Sequence, residues 1–129
     1  MKSGSRILGK VVAEPFKFEN LQVYQRTRKL VNEIYLLTGK WPREYLFDLT
    51  SQFRRAVLSI LLNIAEGTGR SKADFARFLN IAIGSCKECA AIAETSFDLN
   101  LISASDKEKL KKEFIEITMM LEGLKKSLR

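Results

Sequence analysis

Apolar positions recur along this chain at spacings of three and four, the mark of helices that bury one face. From about residue 21 to 38, Tyr24, Val31, Tyr35 and Thr38 join Leu30, Ile34 and Leu37 in one broad face, and Gln22, Arg26, Lys29 and Glu33 fall opposite. This predicts a first helix, with Asn20 placed to cap it and Gly39 and Pro42 placed to stop it. A second helix is predicted from Arg43 or Tyr45 to about Gly67. The turn Gly67-Thr68-Gly69-Arg70 leads to Ser71 and Asp74, spaced as a capping box, and to a third helix ending near Asn100. Ser105-Asp106-Lys107-Glu108 is a second capping box and predicts the start of a fourth helix. That helix carries Leu110, Phe114, Ile117, Leu121, Leu124 and Leu128 on one seam, with Glu108–Lys112, Lys112–Glu116 and Glu122–Lys126 as i, i+4 pairs outside. Short connections make successive helices antiparallel neighbours. The expected fold is all-α, an antiparallel up-down-up-down four-helix bundle over residues 18–129. Residues 1–17 show no period and read as a flexible basic N-terminal arm.

The second helix departs from the usual amphipathic pattern. At 100° per residue, Gln52, Arg55, Ser59, Asn63, Glu66 and Arg70 fall within about 60° of one line. Apolar residues occupy both flanks: Phe53, Val57, Ile60 and Ile64 on one, Leu58, Leu61, Leu62 and Ala65 on the other. A surface helix has one apolar stripe and a wide polar face. The extra flank, Leu58, Leu61 and Leu62, therefore predicts self-association, with cover by other helices of the same subunit as the alternative. The polar line reads either as a register-fixing contact or as a groove in which Arg55 and Arg70 hold phosphates. Arg54 projects to the other side and is expected to reach the rim of the second flank or to pair across a contact. Gly84, inside the third helix, costs about 1 kcal/mol relative to Ala. Its expected use is close helix approach, with Ser85 and Glu88 nearby to bond across.

Charge and composition narrow the function. The chain has 129 residues, 22 Lys and Arg against 15 Asp and Glu, and no His. A net charge of +7 suits an anionic partner, and segment by segment the excess is diffuse. The exposed candidates for nucleic acid are Arg26, Lys29, Arg70, Lys72 and Arg77. Without His, the commonest general base and neutral metal ligand are missing. Cys86-Lys87-Glu88-Cys89 lies mid-helix with no partner pair, so it reads as buried small hydrophobes rather than a redox or zinc motif. No catalytic motif, metal set or cofactor loop appears in the sequence, and an enzyme is not expected. No apolar run reaches the roughly 18 residues of a membrane span, and no signal peptide is evident. The expected compartment is the cytoplasm.

Phe18-Glu19-x-Leu21, Trp41-Pro42-x-Glu44, Leu49-Thr50-Ser51-Gln52-Phe53-Arg54-Arg55-Ala56, Asn63-Ile64-Ala65-Glu66-Gly67-x-Gly69-Arg70-Ser71 and Phe78-Leu79-x-Ile81-Ala82-x-Gly84-Ser85 form a specific series. It resembles the four-helix-bundle proteins encoded in intervening sequences of bacterial 23S ribosomal RNA genes, over about residues 18–128. Trp41 stands where that family usually has Phe, and Cys89 where it usually has Leu. The resemblance implies an up-down bundle assembled as a ring-like homopentamer, with no known catalysis. Similar accessory proteins of diversity-generating retroelements are basic pentamers that bind nucleic acid and a reverse transcriptase. The expected function is thus non-enzymatic RNA binding by an oligomer, through a diffuse basic surface. The alternative is an adaptor ring that docks a nucleic-acid-processing protein such as a reverse transcriptase.

Overall fold

The computed structural model describes residues 6–7, 10–11 and 16–129. Most of the expected flexible arm, residues 1–17, lies outside the described residues. Within it, β1 (Arg6–Ile7) and β2 (Lys10–Val11) pair antiparallel, with Arg6 opposite Val11. The rest is helical: α1 (Gln22–Thr38), α2 (Ser51–Gly67), α3 (Lys72–Asp98) and α4 (Ala104–Lys126). None of these helices is long and apolar enough to cross a membrane.

The expected helices are present, and their ends differ in instructive ways. Asn20 does not cap α1; it ends a 3-10 turn, Lys17–Asn20, and Leu21 takes the cap position without a side-chain bond. The turn is fixed instead by backbone bonds and by Gln25 Nε2 donating to Glu19 O (2.9 Å). Ahead of α2, a 3-10 turn (Arg43–Tyr45) and a π-helical turn (Leu46–Thr50) run straight into the helix, so the predicted start at Arg43 or Tyr45 marks the whole helical run. Ser71 Oγ accepts from the Asp74 N–H (3.2 Å), as its spacing predicted. At α4 the cap is Ser103, whose Oγ accepts from the Asp106 N–H (3.0 Å), and Ser105 is already helical. Each serine stands three residues before an acidic residue, Ser103 before Asp106 and Ser105 before Glu108, and the sequence pattern alone does not separate them.

Contacts between helices fix the topology. Partners descend α3 as they ascend α2: Gln52 meets Glu88, Ser59 meets Ser85, and Gly67 lies against Phe78. On α4 the order reverses again, with Lys107 over Phe97 and Lys125 bonded to Asn80. The first and fourth helices close the bundle through Arg26, Glu113 and Glu116. The core runs between all four: Leu30 and Ile34 from α1, Phe53, Val57, Ile60 and Ile64 from α2, Leu79 and Cys89 from α3, Ile117 and Leu121 from α4. A file of rings, Trp41, Phe53 and Phe114, crosses it at centroid spacings of 6.0 and 6.4 Å. Truncating a fully buried ring such as Phe53 to Ala costs about 3–5 kcal/mol.

Candidate nucleic-acid interface

An antiparallel bundle brings distant parts of the sequence to one end. The first half of α1, the last half of α2, the first half of α3 and the last half of α4 point the same way. Divided at the helix midpoints, this end comprises residues 16–30, 60–85 and 115–129, with ten Lys or Arg against five Asp or Glu. The opposite end, residues 31–59 and 86–114, has nine against nine. The remaining excess is in residues 1–15, three basic against one acidic, which lead into α1. The charge that is diffuse along the sequence is therefore polarised in the fold. This corrects the expectation of a diffuse basic surface.

The largest excess at this end is in residues 16–30, four basic against one acidic, and the α2–α3 turn adds Arg70, Lys72 and Arg77. Gly69 has φ +90°, a left-handed conformation that favours glycine. Gly67 lets α3 approach: a Cβ there would sit 2.8 Å from Phe78 Cβ and 2.9 Å from Phe75 Cδ1. The close approach expected of Gly84 belongs to Gly67, and Gly84 is exposed with nothing within 4 Å of its Cβ position. Around Phe78 the chain gathers two guanidiniums, Arg70 at 5.1 Å and Arg77 at 4.5 Å from the ring centroid. Each is held lightly by a neighbour on its own segment. Arg70 Nε donates to Glu66 O (2.9 Å) and its Nη2 pairs with the Glu66 carboxylate, while Arg77 lies 3.7 Å from Asp74. These pairs are exposed, so water screens them and a phosphate can compete. Lys72 is exposed beside them.

Arg26 and Lys29 lie at the same end, on the first half of α1. Arg26 is not free: its Nε and Nη2 donate to Glu113 (2.8 and 3.0 Å) and Nη2 also reaches Glu116. Those hydrogen bonds raise its pKa beyond the ordinary arginine value. It acts as a clasp between α1 and α4. The outer pairs expected on α4 give way accordingly: Glu116 faces Arg26, and Glu122 pairs with Lys125 (3.3 Å). Lys29 lines a groove of about 830 Å³ between α1 and α4, together with Arg28 and Lys109.

The polar line of α2 sits at the solvent edge of the α2–α3 contact. Gln52 Nε2 donates to Glu88 (2.9 Å), Ser85 Oγ donates to Ser59 Oγ (2.8 Å), and Asn63 Nδ2 donates to Ser59 O (2.8 Å). The first two bonds set the register of α2 against α3 within one subunit, and the third lies within α2. Arg55 stays exposed on the outer edge. On the second flank Leu58 and Leu61 are half-buried, and Leu62 is 58% exposed, so the subunit leaves that flank partly uncovered. Arg54 turns to the end of α1: Nε donates to Thr38 Oγ1 (2.8 Å), Nη2 to Tyr35 O (3.3 Å), and the guanidinium lies 4.5 Å from the Tyr35 ring. A cation there meets the negative end of the α1 dipole. Burial pushes the Cys86 thiol up to about 11 and the Cys89 thiol higher still, so neither is a thiolate at neutral pH.

Some features of this end carry no signal in helical periodicity. The convergence of Arg70 and Arg77 on Phe78 is visible as spacing only once the turn geometry is known. Phe16 stacks on Phe18, which meets Tyr24 at a tilt, so the three rings span a turn and a helix.

The fold is shared with a solved structure. A crystal structure of a protein of unknown function from the S23 ribosomal protein family of Bacteroides thetaiotaomicron superposes with a TM-score of 0.74 at 26% identity, over 81% of this chain and 95% of that one. No curated protein matches. The family described as 23S rRNA-intervening sequence protein matches residues 19–123. The resemblance stated from sequence holds, and this chain belongs to the 23S rRNA-intervening sequence protein family.

Proposed function

We propose that this protein is a non-enzymatic, oligomeric RNA-binding protein of the cytoplasm, and that it engages RNA through the basic end of the bundle. The observation that carries this reading is the charge polarity: a net excess of five at one end against none at the other. Uniform solubilising charge has no reason to separate this way. Arg70, Lys72 and Arg77 supply the phosphate contacts, and the family description, which names an rRNA insert, points to RNA among anionic partners. Binding of this kind rests on counterion release and weakens steeply with salt.

The test is a titration of labelled structured RNA at several salt concentrations. Replacing Arg70, Lys72 and Arg77 by Gln should weaken binding and flatten the salt dependence by about 0.7–0.9 log units per lost phosphate contact. Replacing Lys107, Lys111 and Lys112, at the other end, should leave binding nearly unchanged. No binding at low salt, or equal losses from the two triple variants, would sink the reading.

The oligomer rests on a separate observation, the exposure of Leu62 beside half-covered Leu58 and Leu61. A homopentamer closed through this flank is the assembly we propose. Light scattering of the intact chain should give a multiple of the 14.7 kDa protomer, and Leu62→Glu should lower it. A clean monomer of the intact chain refutes the assembly.

A further inference from the structure

We propose that Phe16 is a stacking platform for an unpaired base, so that the RNA taken by this chain is single-stranded. The proposal rests on the RNA-binding reading above and deepens it. Phe16 and Phe18 stack at 5.4 Å with 18° between their planes, and Phe18 meets Tyr24 at 4.8 Å. Tyr24 belongs to α1 and packs on the core, so the series is anchored at one end. At the other end Phe16 is 54% exposed. A phenyl ring covered on one face by a near-parallel ring offers its second face to solvent. Every base has a flat face of matching size, and base-on-ring stacking does not depend on sequence.

A platform binds a strand when a cationic track runs beside it. Gln25 makes that connection. It donates to Glu19 in the turn that carries Phe18, and it also lines the groove between α1 and α4. The turn therefore borders the groove. Along the walls lie Arg28, Lys29 and Lys109, opposed by Glu33, while Arg26 and Glu113 neutralise each other. Apart from Leu30, Leu110 and Met120 the lining residues are polar or charged, which suits a solvated phosphate backbone. Lys17, exposed next to Phe16, adds a cation at the platform. An A-form duplex keeps its bases stacked inside and presents no base face to Phe16 along its length. Selectivity for single strands follows from that geometry.

The experiment compares an unstructured, labelled oligoribonucleotide of about ten nucleotides, within the usual site size, with an RNA duplex of equal length, by fluorescence anisotropy at low salt. The intact chain should prefer the single strand. Phe16→Ala should weaken single-strand binding roughly 5- to 150-fold, the range of one lost base–aromatic stack, and leave duplex binding within about twofold. Phe16→Trp should retain the preference, and ultraviolet crosslinking should attach the strand to the peptide containing Phe16. Equal affinity of the intact chain for the two RNAs overturns the proposal. So does a Phe16→Ala effect that is absent or the same on both, or a Phe16→Ala change in oligomer mass, which would make Phe16 a contact between copies. Where the intact chain binds RNA with the expected salt dependence but ignores Phe16→Ala, only the platform falls. Where it binds no RNA, the RNA reading falls with it.

Discussion

Two glycines on neighbouring helices should respond to the same substitution with opposite signs. Gly67 is the last residue of α2, buried under the start of α3. An alanine methyl there would lie 2.8 Å from Phe78 Cβ and 2.9 Å from Phe75 Cδ1. Phe78 Cβ is one bond from the backbone, so it moves only if α3 moves. Overpacking of this kind costs about 1–3 kcal/mol, more than the few tenths that Ala gains over Gly at a helix end. Gly84 is exposed inside α3, with nothing within 4 Å of its Cβ position. There Ala should gain about 0.5–1 kcal/mol from helix propensity and reduced unfolded-chain entropy. Urea unfolding followed by circular dichroism measures both. With m near 2 kcal/mol/M, Gly67→Ala should lower the midpoint by about 0.5–1.5 M and Gly84→Ala should raise it by about 0.3–0.5 M. Protomer concentration must be held fixed, because an oligomer's stability depends on it. A Gly67→Ala protein as stable as its parent would refute the close-approach argument. A destabilised Gly84→Ala would refute the claim that its surroundings are open.

Removing the α1–α4 clasp with Arg26→Ala should cost about 0.5–1 kcal/mol, since the pair is part-exposed though doubly hydrogen-bonded, and a double-mutant cycle with Glu113→Gln should recover most of that as coupling. The raised Arg26 pKa means its contribution is present below the ordinary arginine range and fades only above it, so the coupling measured at pH 6 and pH 9 should agree. The buried thiols act with the same sign, through burial rather than hydrogen bonding, and in a lower pH window. With the Cys86 pKa raised from 9.0 to about 11, the native state keeps a proton that the unfolded chain releases, so stability should fall as pH rises from 9 toward 11. A Cys86→Ala, Cys89→Ala variant should show a shallower fall over that window in the same unfolding assay.

The sequence disclosed what depends on local period and missed what depends on which turn faces which. The seam Leu110, Phe114, Ile117 and Leu121 is buried as its spacing required, because helical period is a local property. The choice between Gly67 and Gly84 was not local. Both lie within helical runs, and only the position of Phe75 and Phe78 across the α2–α3 turn shows which one a neighbour presses against. Arg26 was read as free because its partners Glu113 and Glu116 lie 87 and 90 residues away in sequence. Arg54 was expected to reach the rim of the second flank or to pair across a contact, with no partner legible in the sequence. Its acceptors belong to the end of α1, brought close by the turns that precede α2. The polar line of α2 was legible as a line, and its bonds to Glu88 and Ser85 explain why it is narrow: only the edge facing α3 needs polar partners.

Charge polarity is the property that folding creates here without any single contact. Along the chain the excess is largest in residues 16–30, four basic against one acidic, and an up-down topology folds that part of α1 onto the same end as late α2, early α3 and late α4. In the proposed ring the consequence grows. Cyclic symmetry relates every protomer by rotation about one axis, so corresponding ends fall on the same face or the same rim of the assembly. An assembly with perpendicular two-fold axes would instead distribute the basic ends over both sides. A cyclic ring therefore adds the protomers' end charges into one field, whereas the balanced ends add nothing. The gain is largest at low ionic strength, because the screening length of about 10 Å at 0.1 M is shorter than the spacing between helical bundles. Salt should thus reduce RNA affinity more steeply for the assembly than for a Leu62→Glu monomer, even though each protomer keeps the same basic residues. Equal slopes would mean that the protomers bind independently and that the ring contributes proximity without a shared field.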